Sequence, residues 1–558
     1  MKYSGAEIII KLLEIHGIKI VEGIPGGANL PLYNALYKSG IRHILARHEQ
    51  GAGFMAQGMA RSTGLPAVCF ATSGPGATNL ITAIADAKLD SVPVIAITGQ
   101  VSSSLIGTDA FQEVDTYGMT IPITKHNFLV KKAEELLSVI PESFRLAASG
   151  RPGPVLIDVP KDVQLEKIEV SEWPSVLAVD KPPAPDDKVV REAAMAINAS
   201  ERPVLYIGGG AISAGAGPLI SDLALKASIP VSSTLMGIGA LASGHPLYAG
   251  MIGMHARRKT NEMFREADLI IALGVRFDDR ATGKVDEFCP RARIIHVDID
   301  GAELNKNKRV DISVISGLAE FLNDILPLIE RNDRREWIDK NFGVCDETPE
   351  PGNVEPGYFG PKRLLNLIAR YLPGDAIITT DVGQHQMWTA QYYPVKIPRT
   401  LLTSSGLGTM GFGMPAAIGA ALAYPERTVA AICGDGSILM NIQELAVISE
   451  ERLNVKVIIF NNGHLGLVRQ QQELFYGKNY IASGFSCRPD FCLIARGFGI
   501  KSYDLGSADD PEGELEKALA EPGPCVINAP IMGSMNVYPM VVPGGGNHEM
   551  IGGEGNAD

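Results

Sequence analysis

Short apolar runs recur along the chain with helix-length segments between them, and this cadence limits the folds open to it. The runs are PAVCFAT (66–72), PVIAITG (93–99), PVLIDVP (154–160), PVLYIGG (203–209), ADLIIALG (267–274) and RIIHVDI (293–299). DAIITT (375–380), RTVAAIC (427–433), VKVIIFNN (455–462) and the weaker GPCVINAP (523–530) continue the series. Continuous apolar runs of this length, flanked by Gly and Pro, are strands buried on both faces of parallel sheets. Their alternation with helical segments predicts doubly wound α/β folds. The 558 residues, at about 150 per domain, exclude a single small binding module. Composition shifts at EVSEWPSVLAVDKPPAPDDK (169–188) and DETPEPGNVEPGYFGPK (346–362) mark the joins. We therefore expect three doubly wound parallel-sheet domains over 1–168, 188–335 and 362–558, with linkers over 169–187 and 336–361.

A spacing links the outer two domains. The turn Ser73-Gly-Pro-Gly after PAVCFAT and the turn Gly434-Asp-Gly-Ser after RTVAAIC each lie 21 residues before the next strand (73 to 94, 434 to 455). This predicts two variants of one βαβ plan, with the middle domain separate. Lys plus Arg number 50 against 63 Asp plus Glu, a net charge of −13 that gives a nucleic-acid backbone no basic footprint. No window offers the about 18 uninterrupted apolar residues of a membrane span, and the N-terminal apolar run is broken by Lys11. The expectation is a cytoplasmic enzyme without a targeting segment. Seven Cys without a CxxC, in a chain too large to need staples, are expected to be reduced and mostly buried.

The strongest chemical signal is Gly434-Asp435-Gly436-Ser437, ending a strand and opening a helix, with Asn461-Asn462 ending the next strand. The carboxyl ends of adjacent parallel strands are where α/β sheets bind ligands, and a carboxylate beside an amide carbonyl suits Mg²⁺. The neighbouring helix N-terminus would take phosphates. Alone, GDGS is only a tight turn; the NN pair at this distance points to a diphosphate and metal site. A second signal is Glu49 in Arg47-His48-Glu49-Gln50-Gly51, a carboxylate entering a helix of small residues (AGFMAQGMA), whereas most glutamates are merely solvated. A third match misleads: Gly406-Leu-Gly408-Thr-Met-Gly411 fits the dinucleotide pattern GxGxxG. Its strand candidate TLLTSS is short, and the Ala-rich PAAIGAALA beyond it argues for close helix packing.

The GDG and NN pair, with 24 residues (437–460) between, resembles the motif of the thiamine diphosphate enzymes. The resemblance implies that Asp435, Asn462 and the main chain near His464 hold Mg²⁺ against the diphosphate, beside Gly434, Gly436 and Ser437. Asp381-Val382-Gly383-Gln384-His385 matches the other diphosphate loop. It implies that Glu49 meets N1′ of the aminopyrimidine and drives removal of the thiazolium C2 proton, work worth about 10²–10⁴-fold. It also implies that this glutamate serves the third domain of another subunit, hence a homodimer at least. In such enzymes the segment with Gly408 and Met410 wedges an apolar side chain between the cofactor rings; the ordinary fate of a methionine is core filler.

Longer stretches, among them GIPGGANLPLYNAL, ILARHEQGAGFMAQGMAR, IGTDAFQEVD, GVRFDDRATGK and NNGHLGLVRQQQELFY, resemble the catalytic subunits of the acetolactate synthase family from about residue 4 to 552. This likeness implies that pyruvate is decarboxylated and joined to a second 2-ketoacid, pyruvate or 2-ketobutyrate. Gly27, Phe111, Gln112 and Lys125 match positions lining the reaction centre, and Arg276 the substrate-channel arginine. The middle domain would bind a non-redox FAD through Gly208, Gly209, Met254, His255, Arg276, Asp279, Asp298 and Asp300. Read unaided, Gly208-Gly-Gly after PVLYI and the acidic HVDID strand end indicate only a nucleotide site. A separate small regulatory subunit and assembly up to a tetramer are further implied. One departure stands out: most members carry Trp where this chain has Gln471, which predicts weak preference for 2-ketobutyrate, since an extra methylene in a pocket is worth about 1–3 kcal/mol. The rival on this scaffold resembles pyruvate oxidase, which passes electrons to its flavin.

Overall fold

A computed structural model describes residues 1–342 and 354–552. The apolar runs are strands, assembled into three six-stranded sheets in which every pairing is parallel. The first sheet lies in the spatial order Arg42–Leu45, Ile20–Gly23, Ala67–Ala71, Val94–Gln100, Val155–Pro160, His126–Leu129. The third runs Leu401–Leu402, Ile377–Thr380, Val429–Gly434, Val455–Asn461, Cys525–Pro530, Lys501–Asp504. Numbered along the chain within each sheet, both read 2-1-3-4-6-5, so the shared turn-to-strand spacing reflects one topology used twice. The middle sheet, Tyr248–Met251, Val231–Ser233, Pro203–Ile207, Leu269–Leu273, Arg293–Asp298, Ile312–Ile315, reads 3-2-1-4-5-6, the dinucleotide-fold order.

Central strands such as Ala67–Ala71, Pro203–Ile207 and Leu269–Leu273 are buried at every residue, as two-sided burial requires. The expected first linker carries no helix or strand over 171–186. The expected second linker, 336–361, begins inside a helix, Arg335–Phe342, whose Trp337 indole donates to Pro203 O at 3.1 Å in the middle unit. Its residues 343–353, with Cys345, and the last residues of the third unit, 553–558, lie outside the described residues. The other six cysteines are free thiols, all buried except Cys487.

The helices Glu49–Thr63 and Gly413–Ala423 join the first and third units within one chain. They cross so closely that a Cβ on Gly58 would stand 2.1 Å from Ala416 O, and one on Gly419 1.9 Å from Met55 O. Only glycine fits at that crossing. The GxGxxG match therefore leads into a packing helix, as its Ala-rich continuation predicted.

Candidate active site

Three neighbouring strands of the third sheet end side by side, and each turns into a helix. Ile377–Thr380 leads to Gln384–Tyr392, Val429–Gly434 to Asp435–Ile438, and Val455–Asn461 to Gly466–Phe475. Helix starts carry unpaired N–H groups and partial positive charge, so their convergence favours an anion. His385 is buried between two glycines: a Cβ on Gly383 would meet its ring at 2.8 Å and one on Gly434 at 3.0 Å. Its Nε2 has no hydrogen-bond partner, and burial pushes the ring pKa down to about 3. A neutral imidazole with an orphaned nitrogen beside helix starts has hydrogen-bonding capacity left for a group from outside the chain. Ser437 Oγ accepts from Gly434 N at 3.0 Å and closes the turn.

Asp435 is buried, and its carboxylate accepts from Gly436 N at 3.0 Å and Gly463 N at 2.6 Å. Burial pushes its pKa up to about 6, a penalty that a bound cation would offset. Asn462 donates to Gln384 Oε1 at 3.0 Å and accepts from His464 N at 2.9 Å, so its amide is held in one orientation. Among the described residues no three His, Cys, Asp or Glu side chains are placed so that they could hold a metal ion together. A cation here would take its other oxygens from amide, main chain and phosphate, which is Mg²⁺ chemistry.

On the first sheet the carboxyl edge gathers a second group. Glu49 opens its helix, is 8% exposed, and accepts from Asn79 Nδ2 at 2.9 Å. Gly76 packs over it, a Cβ there lying 3.3 Å from Glu49 Oε1. The loop carrying Gly27 is held by Thr72 Oγ1, which accepts from Ala28 N at 3.3 Å, and by Gln164 Nε2, which donates to Ala28 O at 2.8 Å. Gln112, at φ 61°, presses its backbone on Gly74, and beside it Phe111 stands 88% exposed. Lys125 does not join them. It precedes the strand His126–Leu129, at the opposite edge of the sheet, where its amine donates to Ser149 O. Burial, then the Lys88 cation, pushes its pKa down to about 8.

In the middle unit Gly208 and Gly209 follow the first strand at the switch point of the sheet order, where such folds bind nucleotides. A packing reason also holds: a Cβ on Gly208 would stand 2.2 Å from Gly274 O, so the two strand-end loops touch. Asp298 is buried, with its pKa pushed up to about 6 by burial, and accepts from Asp300 N at 2.9 Å. Asp279 is exposed. Arg276 donates to Leu89 O of the first unit at 2.5 Å. Met254 O accepts from Val541 N at 2.9 Å, and His255 Nδ1 lies 3.3 Å from Pro539 O. The C-terminal segment thus lies across the two middle-unit residues expected at the flavin.

Three family models match in series: the thiamine pyrophosphate enzyme N-terminal TPP binding domain over 3–119, the central domain over 190–325, and the C-terminal TPP binding domain over 381–529. The chain belongs to the thiamine pyrophosphate enzyme family. Over 555 residues it is 55% identical to the acetolactate synthase isozyme 1 large subunit of Escherichia coli, covering 99% of this chain and 98% of that one. It is 44% identical to the isozyme 2 large subunit of the same organism over 553 residues, 98% of this chain and 99% of that one. A probable acetolactate synthase large subunit of Methanocaldococcus jannaschii is 45% identical over 557 residues, 97% and 94% of the two chains. Within the family the enzyme therefore stands among the acetolactate synthase large subunits, and the oxidase alternative is not favoured.

Among the described residues no hydrogen bond or ion pair joins Glu49 to 381–385, 434–437 or 462–466. Met410 is half-buried and Gly408 adopts φ 68° near Val382. On the helix Gly466–Phe475, Gln471 points to solvent while Gln470 is buried and exchanges hydrogen bonds with Val537 N at 2.8 Å and Val537 O at 2.9 Å. Sequence reasoning passed over Gln470 and Asn79, and named Asp381 only as the first residue of the matched diphosphate loop. Asp381 accepts from Val382 N and Gly411 N, each at 2.8 Å, and so ties the diphosphate loop to the Met410 segment. Its place at the end of the strand before Val382-Gly383 was the available signal.

Proposed function

We propose that this enzyme decarboxylates pyruvate and joins the remaining two-carbon unit to a second pyruvate, giving 2-acetolactate, or to 2-ketobutyrate, giving 2-aceto-2-hydroxybutyrate. These products lead to valine, leucine and isoleucine. The observation that carries the reading is the end-to-end likeness to acetolactate synthase large subunits, with Glu49, Asp435 and Asn462 set at the carboxyl edges of their sheets. Thiamine diphosphate, when bound, supplies the electron sink for decarboxylation.

The chain's residues then bind, orient and move protons. Asp435, Asn462 and the main chain at His464 hold Mg²⁺; Gly383, Gln384, His385, Gly434, Gly436 and Ser437 take the diphosphate at the converging helix starts. Glu49, oriented by Asn79, exchanges a proton with N1′ of the aminopyrimidine. Val382, Gly408 and Met410 support the rings, and Gly27, Phe111, Gln112 and Gln471 surround the substrates. Arg276, at the join of the first and middle units, attracts the carboxylates of incoming ketoacids, and in the proposed dimer Lys125 joins the residues that surround the substrates.

Gly208, Gly209, Met254, His255, Arg276, Asp298 and Asp300, around the switch point of the middle sheet, would hold FAD in a structural role without redox turnover. Asp279, exposed beside it, belongs to the same proposed set. The site is completed by a homodimer, in which Glu49 of one subunit meets the third domain of the other. Exposed apolar side chains beside both half-sites, Phe111 in the first unit and Met440 and Ile481 in the third, support such a covering surface. A small regulatory subunit accompanies the chain, in keeping with the large-subunit names of its relatives. The proposed domains are 1–168, 188–335 and 362–558. No described helix is long and apolar enough to cross a membrane, and we place the enzyme in the cytoplasm.

The test is purified enzyme with pyruvate, thiamine diphosphate, Mg²⁺ and FAD under anaerobic conditions, following acetolactate and flavin absorbance together. Acetolactate with unbleached flavin is expected. Bleached flavin with acetate or acetyl phosphate would establish an oxidase instead.

A further inference from the structure

The first unit grips the third through a buried charge cluster that the proposed chemistry leaves unused. Arg61 Nη2 donates to Asp86 Oδ1 at 3.0 Å and to Asp90 Oδ2 at 2.9 Å, with the three side chains 6%, 0% and 0% exposed. One cation against two carboxylates leaves an unbalanced charge away from water, which is costly unless the remaining lone pairs are occupied. The segment 403–409 of the third unit occupies them. Ser404 Oγ and, at 2.9 Å, Thr409 Oγ1 donate to Asp86 Oδ2. The N–H groups of Ser405 and Gly406 donate to Asp90 at 2.9 and 2.8 Å, and Arg61 Nη1 donates to Thr403 O at 3.1 Å.

The segment closes on itself, because Thr409 N donates to Ser404 Oγ at 2.8 Å. On its far side Gly411 N is held by Asp381 at 2.8 Å. Met410 therefore stands between two anchors one residue away, Asp86 through Thr409 and Asp381 through Gly411. We propose that Asp86, with Arg61 and Asp90, is a positioning residue: it fixes the 403–411 loop of the third unit so that Met410 is presented to the cofactor. The proposal rests on the reading of Met410 given above. In the proposed dimer each first domain then acts at two sites, with Glu49 at one and with Asp86 at the other.

The test uses the holoenzyme with Thr409→Val, which removes one donor to Asp86 at nearly constant shape, Thr409→Ser, which keeps it, and Asp86→Asn. Thermal midpoints, thiamine diphosphate affinity, near-ultraviolet circular dichroism of the bound cofactor, and kcat and KM for pyruvate are measured together. Thr409→Val and Asp86→Asn are expected to lower kcat by about ten- to a hundredfold, the cost of slight misplacement at a reacting centre, with altered dichroism of the cofactor and little change in KM. Thr409→Ser restores both. Wild-type kcat and dichroism in Thr409→Val would overturn the positioning role, whether or not Asp86→Asn folds. If wild-type enzyme makes no acetolactate, the proposed function fails, and unchanged dichroism in Thr409→Val would still overturn the positioning role separately.

Discussion

Replacing Glu22 by Gln should stabilise the first domain, and increasingly so as the pH rises. Glu22 lies on the strand Ile20–Gly23, paired in register with Ile44 and Cys69, and is 0% exposed. Neither carboxyl oxygen has a hydrogen-bond partner. Burial pushes its pKa up from 4.5 to about 8. A folded-state pKa above the unfolded one means that the folded chain binds the extra proton, so stability is fully present below pH 4.5 and is lost as the pH rises through about 8. At about 1.36 kcal/mol per unit, the loss between pH 5 and pH 8 comes to about 3–4 kcal/mol. The surrounding groups do not titrate there: burial raises Cys69 and Tyr33 far above their ordinary values and lowers His43 to about 4.

The assay is urea unfolding of wild type and Glu22→Gln at pH 5 and pH 8, comparing the transition of the first domain. The stability gap in favour of the variant should widen by about 3–4 kcal/mol at the higher pH, and Glu22→Leu should behave similarly without a buried polar group to satisfy. A gap that stays constant, or narrows, would refute the assignment of a buried, neutral carboxyl.

Glu49→Gln should slow acetolactate formation by about 10²–10⁴-fold while thiamine diphosphate affinity, read by titration, changes little. Chelation of divalent metal with EDTA should release thiamine diphosphate, Mg²⁺ should restore binding, and Asp435→Asn should raise the Mg²⁺ concentration needed. Gln471→Trp should shift competition between pyruvate and 2-ketobutyrate toward the larger acceptor by about tenfold, the discrimination available from one methylene; an unchanged product ratio would show that this position does not face the acceptor.

Much of the fold was legible because its central strands are apolar on both faces. Segments such as VCFA at 68–71 and LIIAL at 269–273 cannot sit elsewhere, and they appear as Ala67–Ala71 and Leu269–Leu273. Edge strands carry no such run: Arg42–Leu45 reads RHIL, Lys501–Asp504 reads KSYD, and Leu401–Leu402 has only two residues. Arg42–Leu45 and Lys501–Asp504 were missed, as was the helix Arg335–Phe342, whose only buried residue is Trp337, whereas Leu401–Leu402 falls within the short strand candidate TLLTSS. At the site, residues fixed by strand ends were legible, since the turn after each strand sets their place: Asp435, Asn462 and Val382-Gly383 follow that rule. Residues that act through tertiary contacts were not. Gln470 and Gln471 are neighbours in a run of three glutamines, and only the helix's rotation shows that the first is buried. Asn79 meets Glu49 across 30 positions of sequence, and nothing local marks either as the other's partner.

Subunit complementation tests the shared site most directly. Glu49→Gln enzyme and Asp435→Asn enzyme are mixed in equal amounts, allowed to exchange subunits, and assayed for acetolactate at a Mg²⁺ concentration that saturates the wild type but leaves each variant alone nearly inactive. If Glu49 of one subunit completes the third domain of the other, random hybrid dimers hold one intact site of two, so about a quarter of the wild-type sites return. If exchange is complete by mass measurement and activity stays at the level of the separate variants, each site is built within one chain and the shared-site reading is contradicted.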